Sequence, residues 1–221
     1  MGAAVKGQSI AEKVAAQLAG LDPKKLPDTV RQRTEELMID VVGLCVAARG
    51  TDYMQALVRG VDAGGPATAI GHTATYSPET AAMLNGTATH GEDFDDTFEG
   101  GPVHSSAVVA PAVLAAVERF NLNGPAAYAG LVAGIEMTCR LSMVIPKSIH
   151  KAGFHPTCVL GAMGATMGVA KSMNLTQQQS VDAMGIAGSM ASGIIEYLAE
   201  GAWTKRLHAG WAAKAGLQAC R

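Results

Sequence analysis

The feature that most constrains this chain's fold is the recurrence of helix start signals ahead of apolar stretches built from small residues. Ser9 precedes a segment in which Ile10, Val14 and Leu18 stand four apart, the stripe of a helix facing a core. Asp28 is the predicted cap of a second helix, in which Val30, Leu37, Val41 and Leu44 turn inward and Gly50 supplies the stop. A third is predicted over 53–61. Ser77 and Pro78 place proline at a first helical position, where its missing amide hydrogen is harmless, and Asn85 with Gly86 is read as the end of that helix. Further helices are predicted from Ser105 or Ser106 through Val117, from Asn123-Gly124-Pro125 through Met143, after Pro156, and after the capping box of Thr176 and Gln179. The last, KRLHAGWAAKAGLQACR, shows no stop signal before Arg221. The only plausible strand is 67–71. Gly161, Gly164 and Gly168 recur at three- and four-residue spacing, which suits close helix contacts rather than a phosphate loop. With no repeat, low-complexity tract or linker, the expectation is one all-α, mostly antiparallel helical domain over residues 1–221.

Composition narrows the function class. A chain of 221 residues, 48% hydrophobic and 16% charged, can bury a substantial core. Its formal net charge of −2, with no run of Lys or Arg, gives no electrostatic footprint for nucleic acid. Cys45, Cys139, Cys158 and Cys220 form no CxxC pair, so reduced thiols are expected rather than a zinc site or a disulfide framework. The amino terminus, MGAAVKGQSIAEKVAAQLAG, lacks the continuous apolar run of a signal peptide. The apolar stretch 38–48 is too short to span a bilayer. A cytoplasmic protein without a membrane partner is expected.

Polar residues interrupt the helices at a few places. HGEDFDDTFEGGPVH, from His90 to His104, crowds Asp93, Asp95 and Asp96 beside Thr97 and His104, a cluster that costs solvation energy wherever it is not fully wet. If Asp93 to Thr97 is one helical turn, Asp93, Asp96 and Thr97 share a face. The same acids read equally as an exposed cap or, less well, as a site for Mg²⁺ or Ca²⁺. In GFHPT, His155 lies between a glycine turn and a helix-opening proline. The positive end of that helix disfavours the imidazolium, leaving a neutral base or hydrogen-bond donor. Lys205 and His208, three apart in WTKRLHAG, share a helical face suited to carboxylate or phosphate, or simply to solvent. GSMASG, 188–193, lets either a substrate or another helix approach the backbone. This inventory fits proton transfer on an anionic substrate: cations neutralise charge on its oxygens and a histidine or aspartate exchanges the proton.

NGTATHGEDFDDTFEGGPVHSSAVVAPAVLAAVE, 85–118, resembles the signature region of the MmgE/PrpD family, which includes 2-methylcitrate dehydratase, cis-aconitate decarboxylase and iminodisuccinate epimerase. The likeness continues through GFHPTCVLGAMGA and GIAGSMASGIIEYLAEGAWTKRLHAGWAAKAG. It implies a helical domain, a homodimer, a small carboxylate substrate, and a site with no metal or organic cofactor. Asp93 and Thr97 match the family's acidic loop, His104 and His155 its two active-site histidines, Lys205 its lysine, and His208 a histidine that often follows. The implied roles are carboxylate binding by Lys205 and one histidine, and proton transfer by the other. Asp93 orients a histidine or serves as a second acid or base, and Thr97 donates a hydrogen bond. A hydro-lyase like 2-methylcitrate dehydratase is the favoured reaction; decarboxylation, epimerisation or a silent dimerising module are the alternatives. Two departures stand out. Ser105 follows His104 where many members have proline. Family chains are also about twice this long, with a smaller α/β domain beyond the helical one, so a chain cut short within a helix is expected.

Overall fold

The computed structural model describes residues 7–221, so part of the polar amino terminus read above against a leader lies outside the described residues. Among the described residues the helices are α1 Ile10–Ala19, α2 Asp28–Ala48, α3 Asp52–Arg59, α4 Pro78–His90, α5 Ser106–Phe120, α6 Gly124–Val144, α7 Ser148–Lys151, α8 Pro156–Ser172, α9 Gln177–Met190, α10 Tyr197–Glu200 and α11 Thr204–Ala219. A hairpin of β1 Ala67–Thr68 and β2 Thr75–Tyr76 lies between α3 and α4. The fold is all-α, and none of these helices is long and apolar enough to cross a membrane.

Local chemistry sets several boundaries. The Ser9 hydroxyl accepts the Glu12 amide at 3.2 Å while the Glu12 carboxylate accepts the Ser9 amide at 2.6 Å. Thr176 and Gln179 form the same reciprocal box at the start of α9. At α2 the predicted cap is off by one: Pro27 holds the cap position and Asp28 is the first helical residue. The predicted strand at 67–71 shrinks to two residues and gains a partner that its sequence pattern did not announce. Helix α11 closes at Ala219 rather than running through Arg221, with the Cys220 amide donating to the Leu217 carbonyl at 3.2 Å.

The largest difference concerns α4, which runs past Asn85 and Gly86 to His90. Both residues serve packing there instead of a turn. The Asn85 side chain accepts the Ile70 amide at 2.8 Å and donates to the Thr68 carbonyl at 2.9 Å, pinning the hairpin onto the helix. Gly86 faces Gly210 of α11, with backbone on backbone. A Cβ on Gly210 would collide with the Met83 carbonyl oxygen and the Thr87 hydroxyl. The glycine spacing of α8 has the same meaning: a Cβ on Gly164 would lie 2.8 Å from the Gly134 carbonyl oxygen of α6.

Such close approach lets α4, α5, α8 and α11 pack around a core of alanines and valines, among them Ala107, Val108, Ala162, Ala165, Ala212 and Ala213. A second apolar cluster joins α2 and α3 to α4 and α5 through Val41, Met54, Leu84 and Val109. Methionines of α6, α8 and α9 make a third with α1. Cys45, Cys158 and Cys220 are buried free thiols, and Cys139 is a half-buried one. The long α4 then delivers His90 to the point where the polar loop begins.

Candidate active site

Four imidazoles stand in a row at the meeting point of α4, the loop before α5, and the starts of α8 and α11. His104 and His90 have ring centroids 4.6 Å apart, His90 stacks on His155 at 5.5 Å, and His155 meets His208 at 5.4 Å. His155 Nδ1 and His208 Nδ1 are 3.3 Å apart. The Tyr197 ring of α10 sets its edge against both His155 and His208, at 5.9 and 5.6 Å. Distinct local devices hold each member. His90 ends α4, and His155 occupies the cap position of α8 with its amide donating to the Gly193 carbonyl at 2.8 Å. The His104 amide donates to the Thr157 hydroxyl at 3.3 Å.

The acidic stretch is an irregular loop rather than the helical turn considered for it, and its three aspartates part company. Asp96 fixes α5, accepting the Ser106 amide at 3.0 Å and the Ser105 hydroxyl at 2.8 Å. This is the capping role, and it explains why serine rather than proline follows His104: the Ser105 hydroxyl anchors the loop. Asp95 turns inward, buried, with Oδ2 3.0 Å from His90 Nδ1 and Oδ1 3.3 Å from His104 Nδ1. The contact with His90 is a hydrogen bond, whereas His104 meets the carboxylate as an ion pair without hydrogen-bond alignment. Asp93 stands half-exposed in the left-handed region, φ +55, and holds the Lys205 ammonium through Oδ2.

Lys205 is brought there by its neighbour. Arg206 donates to the Gly91 carbonyl at 2.7 Å and lays its guanidinium over the Tyr53 ring, 4.8 Å from the centroid. That clamp ties the first turn of α11 to the end of α4. The stretch 188–193 contributes one residue to the site, Gly193, at φ +107. A Cβ there would press on Cys158 and come within 3.3 Å of His208 Nδ1. Thr97 is exposed and takes no part in the hydrogen bonds of the histidine row.

Electrostatics divides the row. Burial alone would raise the Asp95 carboxyl, but contacts from His104 and His90 outweigh it and hold the group well below the usual carboxylate range. Burial works against the charged form of His104 too, yet Asp95 raises it above its ordinary value. At the other end burial, followed by repulsion from His90, His208 and Lys205, pushes His155 down to about 2. The neutrality expected of His155 therefore has burial and neighbouring charge as its leading causes. Burial and then His90 lower His208 as well. One end of the row favours an imidazolium, and the other keeps neutral rings.

The structure thus gathers His104, His155, His208, Lys205 and Asp93 and leaves Thr97 apart. It adds His90, Asp95 and Tyr197, which were not singled out as site residues. His90 and Asp95 stood within the same polar stretch, but several acids lie between its two histidines and no spacing marked Asp95 among them.

Comparison with known proteins identifies the family. The model of the MmgE/PrpD N-terminal domain matches residues 12–221. A cis-aconitate decarboxylase of Mus musculus is 30% identical over 96% of this chain and 45% of its own length. One of Aspergillus terreus is 28% identical over 94% of the chain and 44% of its own length. A cis-aconitate decarboxylase-like protein of Aspergillus oryzae is 28% identical, covering 89% and 43% respectively. The chain therefore spans under half the length of these relatives. With a match that covers all but its first residues, the chain belongs to the MmgE/PrpD family and corresponds to its N-terminal domain.

Proposed function

We propose that this chain carries the acid–base half of a lyase that transfers a proton beside a carboxylate of a small di- or tricarboxylate, most closely a decarboxylase of the cis-aconitate type. The reaction choice is supported by relatives that are cis-aconitate decarboxylases, in place of the 2-methylcitrate dehydration favoured from sequence motifs. The observation that carries the reading is the buried Asp95 carboxylate, 3.0 Å from His90 Nδ1 and 3.3 Å from His104 Nδ1; it favours the protonated form of His104, while burial disfavours that form of His155 at the other end of the row.

Decarboxylation breaks a carbon–carbon bond, releases CO₂ and leaves an electron pair on carbon. Lys205 exchanges Asp93 for a substrate carboxylate and offsets its charge. The His104 imidazolium then gives its proton to that carbon, and Asp95 stabilises the cation until transfer. Neutral His155 and His208 hydrogen-bond the remaining carboxylates without adding charge that would repel the His104 proton. Tyr197 packs the edge of this surface. A homodimer and a second domain that completes the site belong to the same proposal.

The test is product analysis with cis-aconitate, 2-methylcitrate and iminodisuccinate, repeated with Lys205→Met and His155→Gln. CO₂ release from cis-aconitate, lost in both variants, is expected. Undiminished turnover in both variants overturns the roles, and water or epimer as the product overturns the choice of reaction.

A further inference from the structure

The inward face of the acidic loop resembles a coordination shell. His90, Asp93, Asp95 and His104 each present one ligand atom, and those atoms all lie within 4.8 Å of one another. His90 Nδ1 is 3.0 Å from Asp95 Oδ2 and 3.9 Å from Asp93 Oδ1, while His104 Nδ1 is 3.3 Å from Asp95 Oδ1. A tetrahedron of ligands about 2.0–2.1 Å from a Zn²⁺ ion has edges of roughly 3.3–3.4 Å. A second observation points the same way: His104 Nδ1 is buried, faces the carboxylate and has no hydrogen-bond partner.

We propose that His90, Asp93, Asp95 and His104 form an inhibitory site for a borderline-soft divalent cation, Zn²⁺ above all, in which the metal is a competitor of catalysis and not its cofactor. Two imidazole nitrogens and two carboxylate oxygens suit that ion. Mg²⁺ and Ca²⁺ need six or more oxygen ligands, and the third aspartate, Asp96, is committed to Ser105 and Ser106. Asp93 can ligate through Oδ1, since Oδ2 holds Lys205. The inhibitory consequence rests on the functional reading above: a cation there takes Asp95 away from His104 and sets a positive charge beside Lys205. Binding itself does not rest on that reading.

The experiment titrates the 221-residue chain with Co²⁺ in the absence of substrate and reads the visible ligand-field bands, then adds Zn²⁺. Strong four-coordinate bands saturating at one ion per chain and erased by Zn²⁺ are expected. His104→Gln and the surface variant Asp93→Asn, which leaves the buried Asp95 and His90 in place, should each weaken binding more than about tenfold. His150→Ala, on an exposed residue of α7, should not change it. Weak six-coordinate bands, or unchanged affinity in Asp93→Asn and His104→Gln, overturn the proposal. Because no turnover enters this readout, its failure and that of the lyase assignment are separable. Bands as expected without loss of turnover on Zn²⁺ addition to the active protein overturn the inhibitory part.

Discussion

Replacing Asp95 with asparagine isolates the charge that organises the site. The variant keeps the shape and an acceptor oxygen but removes the carboxylate that His90 meets at 3.0 Å and His104 at 3.3 Å. A hydrogen bond to a charged partner contributes about 1.5–3 kcal/mol, and breaking a buried ion pair costs about 3–5 kcal/mol. Because asparagine retains one polar contact, about 2–4 kcal/mol of stability should be lost near neutral pH, or roughly 5–15 °C in Tm. The pH dependence follows from both shifts. The lowered Asp95 contributes stability above its unfolded pKa of about 3.9, lost as pH falls through the folded value. The raised His104 contributes stability that is complete below its unfolded value of about 6.5 and lost as pH rises through the folded one. The deficit of Asp95→Asn should therefore be largest between about pH 4 and 6.5. Histidine-resolved NMR titration supplies the second readout: with the Asp95 charge gone, burial, the largest influence on it, pulls His104 down, so it should titrate lower in the variant than in the parent. An unshifted His104, or a deficit independent of pH, would refute the assignment of Asp95 as its anchor.

Other perturbations separate packing from chemistry. Gly210→Ala forces a methyl group into the Met83 carbonyl and Thr87 hydroxyl, and should cost about 3 kcal/mol or more in denaturant unfolding. Lys205→Met touches a partly exposed pair, so stability should change by under about 1 kcal/mol while turnover of cis-aconitate falls sharply; a large loss of stability contradicts this. His155, near 2 when folded and about 6.5 when unfolded, binds more protons in the unfolded chain. Lowering the pH from 7 to 4.5 should thus remove on the order of 2 kcal/mol of stability through this residue, and His155→Gln should flatten that decline.

Helix identity was legible wherever the signal was local. The box at Thr176 closes as its spacing dictated, Ser9 starts α1, and Gly164 and Gly168 of α8 meet the backbone of α6. Misreadings arose where a local signal served a distant partner. Asn85 and Gly86 look like a helix end, yet one binds the hairpin and the other admits α11. The candidate site residues His104, His155, Lys205 and His208 stood out by chemistry and by resemblance. The roles within DFDD did not, because one loop sends Asp93 to Lys205, Asp95 into the core and Asp96 to α5, and nothing in the spacing marks which acid is buried.

The most direct test of the central claim follows solvent deuterium into the product carbon during turnover of cis-aconitate by the parent protein and His104→Gln. If His104 hands over the proton, the variant should lose about 10²–10⁴-fold in deuterated product formation, while Lys205 still supports substrate binding. Product formation at the parental rate in His104→Gln would contradict the account.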